Sequence, residues 1–159
     1  MARKHVIIYT DGSCETQTGD GGWGFLLVYG DVRRRASGFE ANTTNNRMEL
    51  TGAVRALEAL SEPCRATIVT DSQYLKKAFT DGWLDKWLRN GWRTAGKQPV
   101  KNQDLWQRLL ELTKIHEVRW EWTRGHAGHA ENEAVDDLAL TARRSRKGLD
   151  ETYRSQNGR

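Results

Sequence analysis

Cysteine and proline are scarce, with two of each among 159 residues. Cys14 and Cys64 cannot build a disulfide framework, so the chain has to fold on a buried core, and it is long enough to do so. No stretch of about 18 apolar residues exists, which excludes a membrane-spanning helix. The early apolar run VIIY is too short for a secretory signal. There is no internal repeat and no linker that would split the chain. A phosphate-cradling P-loop is missing too. The G-x-G-x-x-G pattern over Gly19, Gly21 and Gly24 leads into a strand-like run instead of a helix, so it does not support a dinucleotide site. A single cytoplasmic, reduced domain is expected, with a mean hydropathy of −0.78.

What is abundant is tryptophan, with seven copies, and charge, at 29% of residues. The net charge of +4 is only a mild pointer to nucleic acid, but it is unevenly placed. Residues 83–101 hold Lys86, Arg89, Arg93, Lys97 and Lys101 against Asp85, a net of +4. Residues 143–159 hold six basic residues against Asp150 and Glu151, again +4. The rest of the chain carries −4. A body with excess acid thus bears two basic appendages.

Period-two patterning and turn signals predict strands over 4–13, 23–29, 32–39, 66–70 and 117–123, with a hairpin turn at Gly30-Asp31. Helical spacing of Leu50, Ala53, Val54, Leu57 and Leu60 predicts a helix over 46–60, ended by Pro63. Further helices are expected over 72–79, 83–88, 103–113 and 131–143. Three hairpin-joined strands followed by strands reached through helices imply an α/β fold: a mixed five-stranded sheet with helices on both faces. The last dozen residues have little apolar content and are expected to be loose.

Four carboxylates occupy telling positions. Asp11 and Asp71 end strands, where open sheets place their working sites. Glu49 lies in the first turn of one helix and Asp136 in the last helix. Each has an ordinary alternative. Glu49 fits a capping box, Asp71 could be an N-cap, Asp11 a turn residue, and Asp136 a partner of the helix dipole. Gathered together, they would repel unless cations neutralised them. Hard cations such as Mg²⁺ take oxygen ligands, and a pair of them suits phosphodiester hydrolysis.

The motifs YTDGSC (9–14), TTNNRMEL (43–50), VTDSQY (69–74), RNGWRTAGKQPVKNQDLW (89–106) and RGHAGHAENEAVDDLA (124–139) occur in this order and spacing. Together they resemble the bacterial type 1 ribonucleases H, over most of the chain. The resemblance implies the ribonuclease H-like fold and an endonuclease that hydrolyses the RNA strand of RNA–DNA hybrids, leaving 5′-phosphate and 3′-hydroxyl ends. It implies two Mg²⁺ ions, with Mn²⁺ as a possible substitute, on Asp11, Glu49, Asp71 and Asp136. Motif register, not spacing, selects Asp136 over Asp137. His126 matches a loop histidine that assists proton movement or product release, a task suited to a side chain that titrates near neutrality.

By the same resemblance Gly12, Ser13, Cys14, Asn45, Asn46 and Gln73 line the minor groove of the hybrid, where small residues and amides can feel the 2′-hydroxyl. Thr44 matches a residue that binds a DNA-strand phosphate, and Gln17 stands where a phosphate-contacting Asn is common. Trp83, Trp87, Arg89, Trp92 and Arg93 fall in a basic protrusion, 83–101, that grips the DNA strand. The rings are expected to pack while the cations face phosphates. The catalytic domain is expected over 1–143 and a flexible basic tail over 144–159, in a monomer without membrane contact. Two rivals use the same elements: a DNA-cutting enzyme of the same fold, and a non-catalytic binding module. The first would lack TTNNRMEL and the tryptophan-rich segment; the second would lose at least one carboxylate.

Overall fold

The computed structural model describes residues 3–123 and 130–155. Its elements run β1 (Lys4–Cys14), β2 (Gly21–Tyr29), β3 (Val32–Glu40), α1 (Asn45–Glu58), β4 (Cys64–Thr70), α2 (Gln73–Thr80), α3 (Trp83–Asn90), α4 (Gln103–Ile115), β5 (Glu117–Trp122), α5 (Ala130–Ser145) and β6 (Leu149–Arg154). The strands form one sheet in the order β5-β4-β1-β2-β3-β6. The β1-β2-β3 meander is antiparallel, β4 and β5 join it in parallel, and β6 closes the far edge antiparallel to β3.

Alternation along β1 decides what lies on each face. Val6 and Ile8 point into the main core, with Phe25 and Leu27 from β2 and Leu50, Leu57, Leu75, Trp106 and Leu109 from the helices. This is the face that α1, packed in turn against α2 and α4, covers. The other face of β1–β3 is covered by α5, whose Val135, Leu138 and Ala139 are buried there. The periodicity of α1 is what the sequence displays: its buried residues include Leu50, Ala53, Val54 and Leu57.

Two close approaches fix where these helices sit. A Cβ on Gly12 would lie 2.3 Å from the Glu49 backbone nitrogen and 2.4 Å from the Met48 carbonyl carbon. A Cβ on Gly22 would lie 2.1 Å from the Ala139 oxygen. Only glycine lets α1 and α5 press on the sheet at these points. Gly12 directly follows Asp11, and Gly22 pairs with Ser13, two residues further along β1.

The sheet has six strands where five are expected, and the extra one comes from the segment expected to be a loose tail. Every residue of β6 is exposed, so no apolar alternation betrays it. It is held by main-chain pairing to β3 and by ion pairs: Arg34–Asp150 and Arg154–Asp31, each at 2.8 Å, and Arg35–Glu151. β1 also outruns its expected turn at Asp-Gly-Ser. Its pairing with β2 continues to Cys14–Gly21, whereas pairing with β4 ends at Tyr9–Val69.

Candidate active site

Asp11 lies on the part of β1 that projects past its last pair with β4, and Asp71 directly follows the end of β4. The two therefore stand where neighbouring parallel strands part, the usual opening for a site in an open sheet. α1 brings Glu49 to this opening from one face, and α5 brings Asp136 from the other. Asp11 shares a hydrogen bond with Asp136 and feels the charge of Asp71, and Glu49 feels the same charge. Carboxylates from four separate segments thus feel one another's charge or share a hydrogen bond, and the ordinary alternatives of three of them fall away. The cap of α1 is Thr44, whose hydroxyl accepts from the Arg47 N–H at 3.1 Å, so Glu49 is not a capping residue. The cap of α2 is Ser72, not Asp71. Asp11 is a paired strand residue, not a turn.

The cluster is electrostatically loaded. Asp11 is 6% exposed. Burial first, then its hydrogen bond to Asp136 and the nearby charges of Asp71 and Asp136, push its carboxyl up to about 8, against an opposing hydrogen bond from the Gly12 N–H. Burial likewise raises the Glu49 carboxyl, and Asp71 adds to the rise. Ser72 and Asn45 oppose it: the Ser72 hydroxyl donates to Glu49 Oε2 at 2.5 Å and the Asn45 amide to Oε1 at 3.2 Å. Among the described residues no three acidic, histidine or cysteine side chains close around one point, since Asp11 leans on Asp136 while Glu49 is turned to Ser72 and Asn45. The donor set is nonetheless one a hard dication fits. It is all carboxylate oxygen, and without a counter-charge it must hold a proton at neutral pH.

The remaining residues singled out in the sequence fall into three groups. Gly12, Ser13 and Cys14 form the projecting end of β1, Asn45 and Asn46 open α1, and Gln73 opens α2. Thr44 is exposed although its hydroxyl caps α1. Gln17 sits apart, exposed on the β1–β2 turn. That turn is tied to the loop before α1 by a Thr43–Gly19 main-chain bond of 2.9 Å. His126 lies outside the described residues.

The third group is the protrusion. Trp83, Trp87 and Trp92 form a chain of rings with centroids 5.9 and 6.0 Å apart, and Trp87 rests on the buried Trp106 at 5.6 Å. Tyr74, three residues after Asp71, joins this chain to the site. Its ring meets Trp83 and Trp106, and its hydroxyl accepts from Trp106 Nε1 at 2.9 Å. Lys86, Arg89, Arg93, Lys97 and Lys101 are all exposed. Sequence reasoning misses Ser72, whose role at Glu49 hides behind an ordinary N-cap, and Arg143, which donates to Ser13 Oγ at 3.1 Å. The spacing of Arg143 from Asp136, two helical turns, is the one signal that could have found it.

A family model, RNase H, matches residues 3–144. A ribonuclease H of Halorhodospira halophila is 57% identical over 149 residues, covering 94% of this chain and 95% of that one. One of Methylococcus capsulatus is 54% identical over 150 residues, covering 94% and 92%. Among solved structures, LC9-RNase H1, described as a type 1 RNase H with the type 2 active-site motif, superposes with a TM-score of 0.83 at 34% identity, covering 98% of this chain and 80% of that one.

Proposed function

The chain belongs to the ribonuclease H family, in its bacterial type 1 branch, and from that membership we propose that it cuts the RNA strand of RNA–DNA hybrids internally at the carboxylate cluster. The observation that carries this reading is the electrostatic coupling of Asp11 to Asp136 and Asp71, and of Glu49 to Asp71, where β1 and β4 part. These four residues would hold divalent cations, Mg²⁺ first. Two such ions, when bound, activate water and stabilise the departing 3′ oxygen in phosphodiester hydrolysis, leaving a 5′-phosphate.

The chain's own residues do the rest. Asp11 shares a proton with Asp136, and a cation held at the cluster would supply the counter-charge that favours its ionised form. Ser72 and Asn45 hold Glu49 in one orientation, which spares it a search at each turnover. Gly12, Ser13, Cys14, Asn46 and Gln73 offer small surfaces and amide groups to the minor groove, where the 2′-hydroxyl distinguishes RNA from DNA. His126 takes the proton-handling role. Thr44, Gln17 and the cations of the protrusion contact phosphates of the DNA strand, and the half-buried tryptophans stiffen the platform that carries those cations. The protein acts as a monomer. Among the described residues no helix is long and apolar enough to cross a membrane.

The test uses a hybrid labelled in its RNA strand, with Mg²⁺, comparing wild type and Asp11→Asn. Wild type is expected to release RNA fragments bearing 5′-phosphates, and the variant to be slower by at least about a thousandfold, the scale of losing a central charged group at a catalytic site. Equal cleavage by both, or cleavage of duplex DNA in preference to the hybrid, would sink the reading.

A further inference from the structure

The basic residues at the end of α5 carry no role in the proposed function, and Arg143 stands apart from its neighbours. It lies on the same face of α5 as Asp136, two helical turns further on. Asp136 meets Asp11, while Arg143 Nη1 donates to Ser13 Oγ at 3.1 Å. Ser13 is two residues beyond Asp11 and on the same side of β1. Helix and strand therefore run side by side with two rungs between them, carboxyl on carboxyl and then cation on hydroxyl.

Backbone packing holds the second rung in place. Ser13 pairs with Gly22, and a Cβ there would lie 2.8 Å from the Arg143 backbone nitrogen. The same guanidinium opposes the rise that burial gives the Cys14 thiol pKa. Its charge is not spent locally: among the described residues no carboxylate is ion-paired with it, and its partner is a neutral hydroxyl. Arg146, by contrast, pairs with Asp20 at 3.8 Å and lies over the Phe39 ring. Arg143 is partly exposed, and a guanidinium has five donors, most of which a single hydroxyl leaves over.

We infer that Arg143 binds a phosphate of the RNA strand, next to the one held at the carboxylate cluster. This rests on the hybrid-cutting reading. The strand rise puts Ser13 about 7 Å beyond Asp11, comparable with the spacing of successive phosphates along one strand, whereas the other strand lies across the groove. A planar fork reaching out from a fixed helix suits a phosphate bidentately.

The experiment measures kcat and KM on an RNA-labelled hybrid with Mg²⁺ across about 50–200 mM salt, for wild type, Arg143→Ala and Arg143→Lys. Arg143→Ala is expected to raise KM roughly three- to tenfold, keep kcat within about twofold, and reduce the slope of log(kcat/KM) against log salt by about 0.7–0.9. Arg143→Lys should restore the slope, since it keeps the charge but not the fork. A role confined to orienting Ser13 would leave the slope at its wild-type value. As a second readout, hybrids each carry one uncharged methylphosphonate in the RNA strand near the cut. At the contacted position the neutral link should slow wild type and leave Arg143→Ala no slower than on the unmodified hybrid. An unchanged salt slope in Arg143→Ala, or an equal further loss in both proteins at every position, overturns the inference while leaving the hybrid reading intact. A wild type that leaves the hybrid uncut ends both.

Discussion

The carboxylate cluster and the tryptophan-laced protrusion carry opposite charges and keep them in opposite surroundings. Asp11 is 6% exposed and its carboxyl is pushed up to about 8. Its charge is costly, held down by two helices that glycines allow onto the sheet. The cations of the protrusion stand in solvent, and what is packed there is the apolar rings beneath them. Burial makes a charge chemically poised at the expense of stability. Exposure makes it a grip that costs the fold little and that salt can loosen. Each region can be broken in its own way, and the sizes of the effects should separate them.

The largest loss of stability should come from Gly12→Ala. The added carbon would meet main-chain atoms of Met48 and Glu49 at 2.3–2.4 Å, which cannot swing aside as a side-chain tip could. α1 must lift, at about 2–3 kcal/mol, and Glu49 moves with it. Thermal melts and hybrid cleavage should both fall; a variant that melts like wild type would mean that this contact does not position the helix.

Asp11→Asn should act in the reverse direction on stability. The folded carboxyl titrates near 8, far above the ordinary value of about 3.9. The folded state therefore holds its proton more tightly than the unfolded chain, and Asp11's favourable contribution is complete below about pH 4 and lost as pH rises toward 8. Asparagine does not ionise, so with a chelator present the variant should melt higher than wild type. The gap should open above about pH 4 and level off above 8, at several kcal/mol. Saturating Mg²⁺ should narrow it by stabilising wild type alone. A pH-independent difference would remove the electrostatic account of the cluster.

Nearly every element was legible because each shows its face to a core. The spacing of Leu50, Ala53, Val54 and Leu57 in α1 is a record of what is buried, and the alternation of Val118, Trp120 and Trp122 in β5 a record of what is half-buried against the core. β6 has no such record, since its six residues are exposed and its order comes from pairing with β3 and from arginines distant in the chain. The carboxylates were legible as a set through their motifs and ambiguous one by one. What removed the ambiguity was seeing Thr44 and Ser72 take the caps that Glu49 and Asp71 could have filled. The anchoring of Glu49 by Ser72 was not legible, because a serine before a helix already has a sufficient local reason to be there.

The smallest effect on the fold, and the sharpest contrast with Asp11, should come from Arg89→Ala combined with Arg93→Ala. Among the described residues, both guanidinium groups bond only to main-chain oxygens, Arg89 to Asp85 at 3.3 Å and Arg93 to Lys97 at 3.3 Å. Their removal orphans no carboxylate, and the tryptophan rings beneath stay packed, so stability should move by no more than about 0.5 kcal/mol. Kinetically the pair should raise KM roughly tenfold and reduce the salt slope of kcat/KM by about 1.4–1.8, two phosphate contacts' worth, with kcat little changed. Asp11→Asn should do the opposite, collapsing kcat while leaving the salt dependence of binding near its wild-type value. If the double variant kept the wild-type slope, the protrusion would not touch phosphate, and its cations would be a solvated face over a tryptophan core.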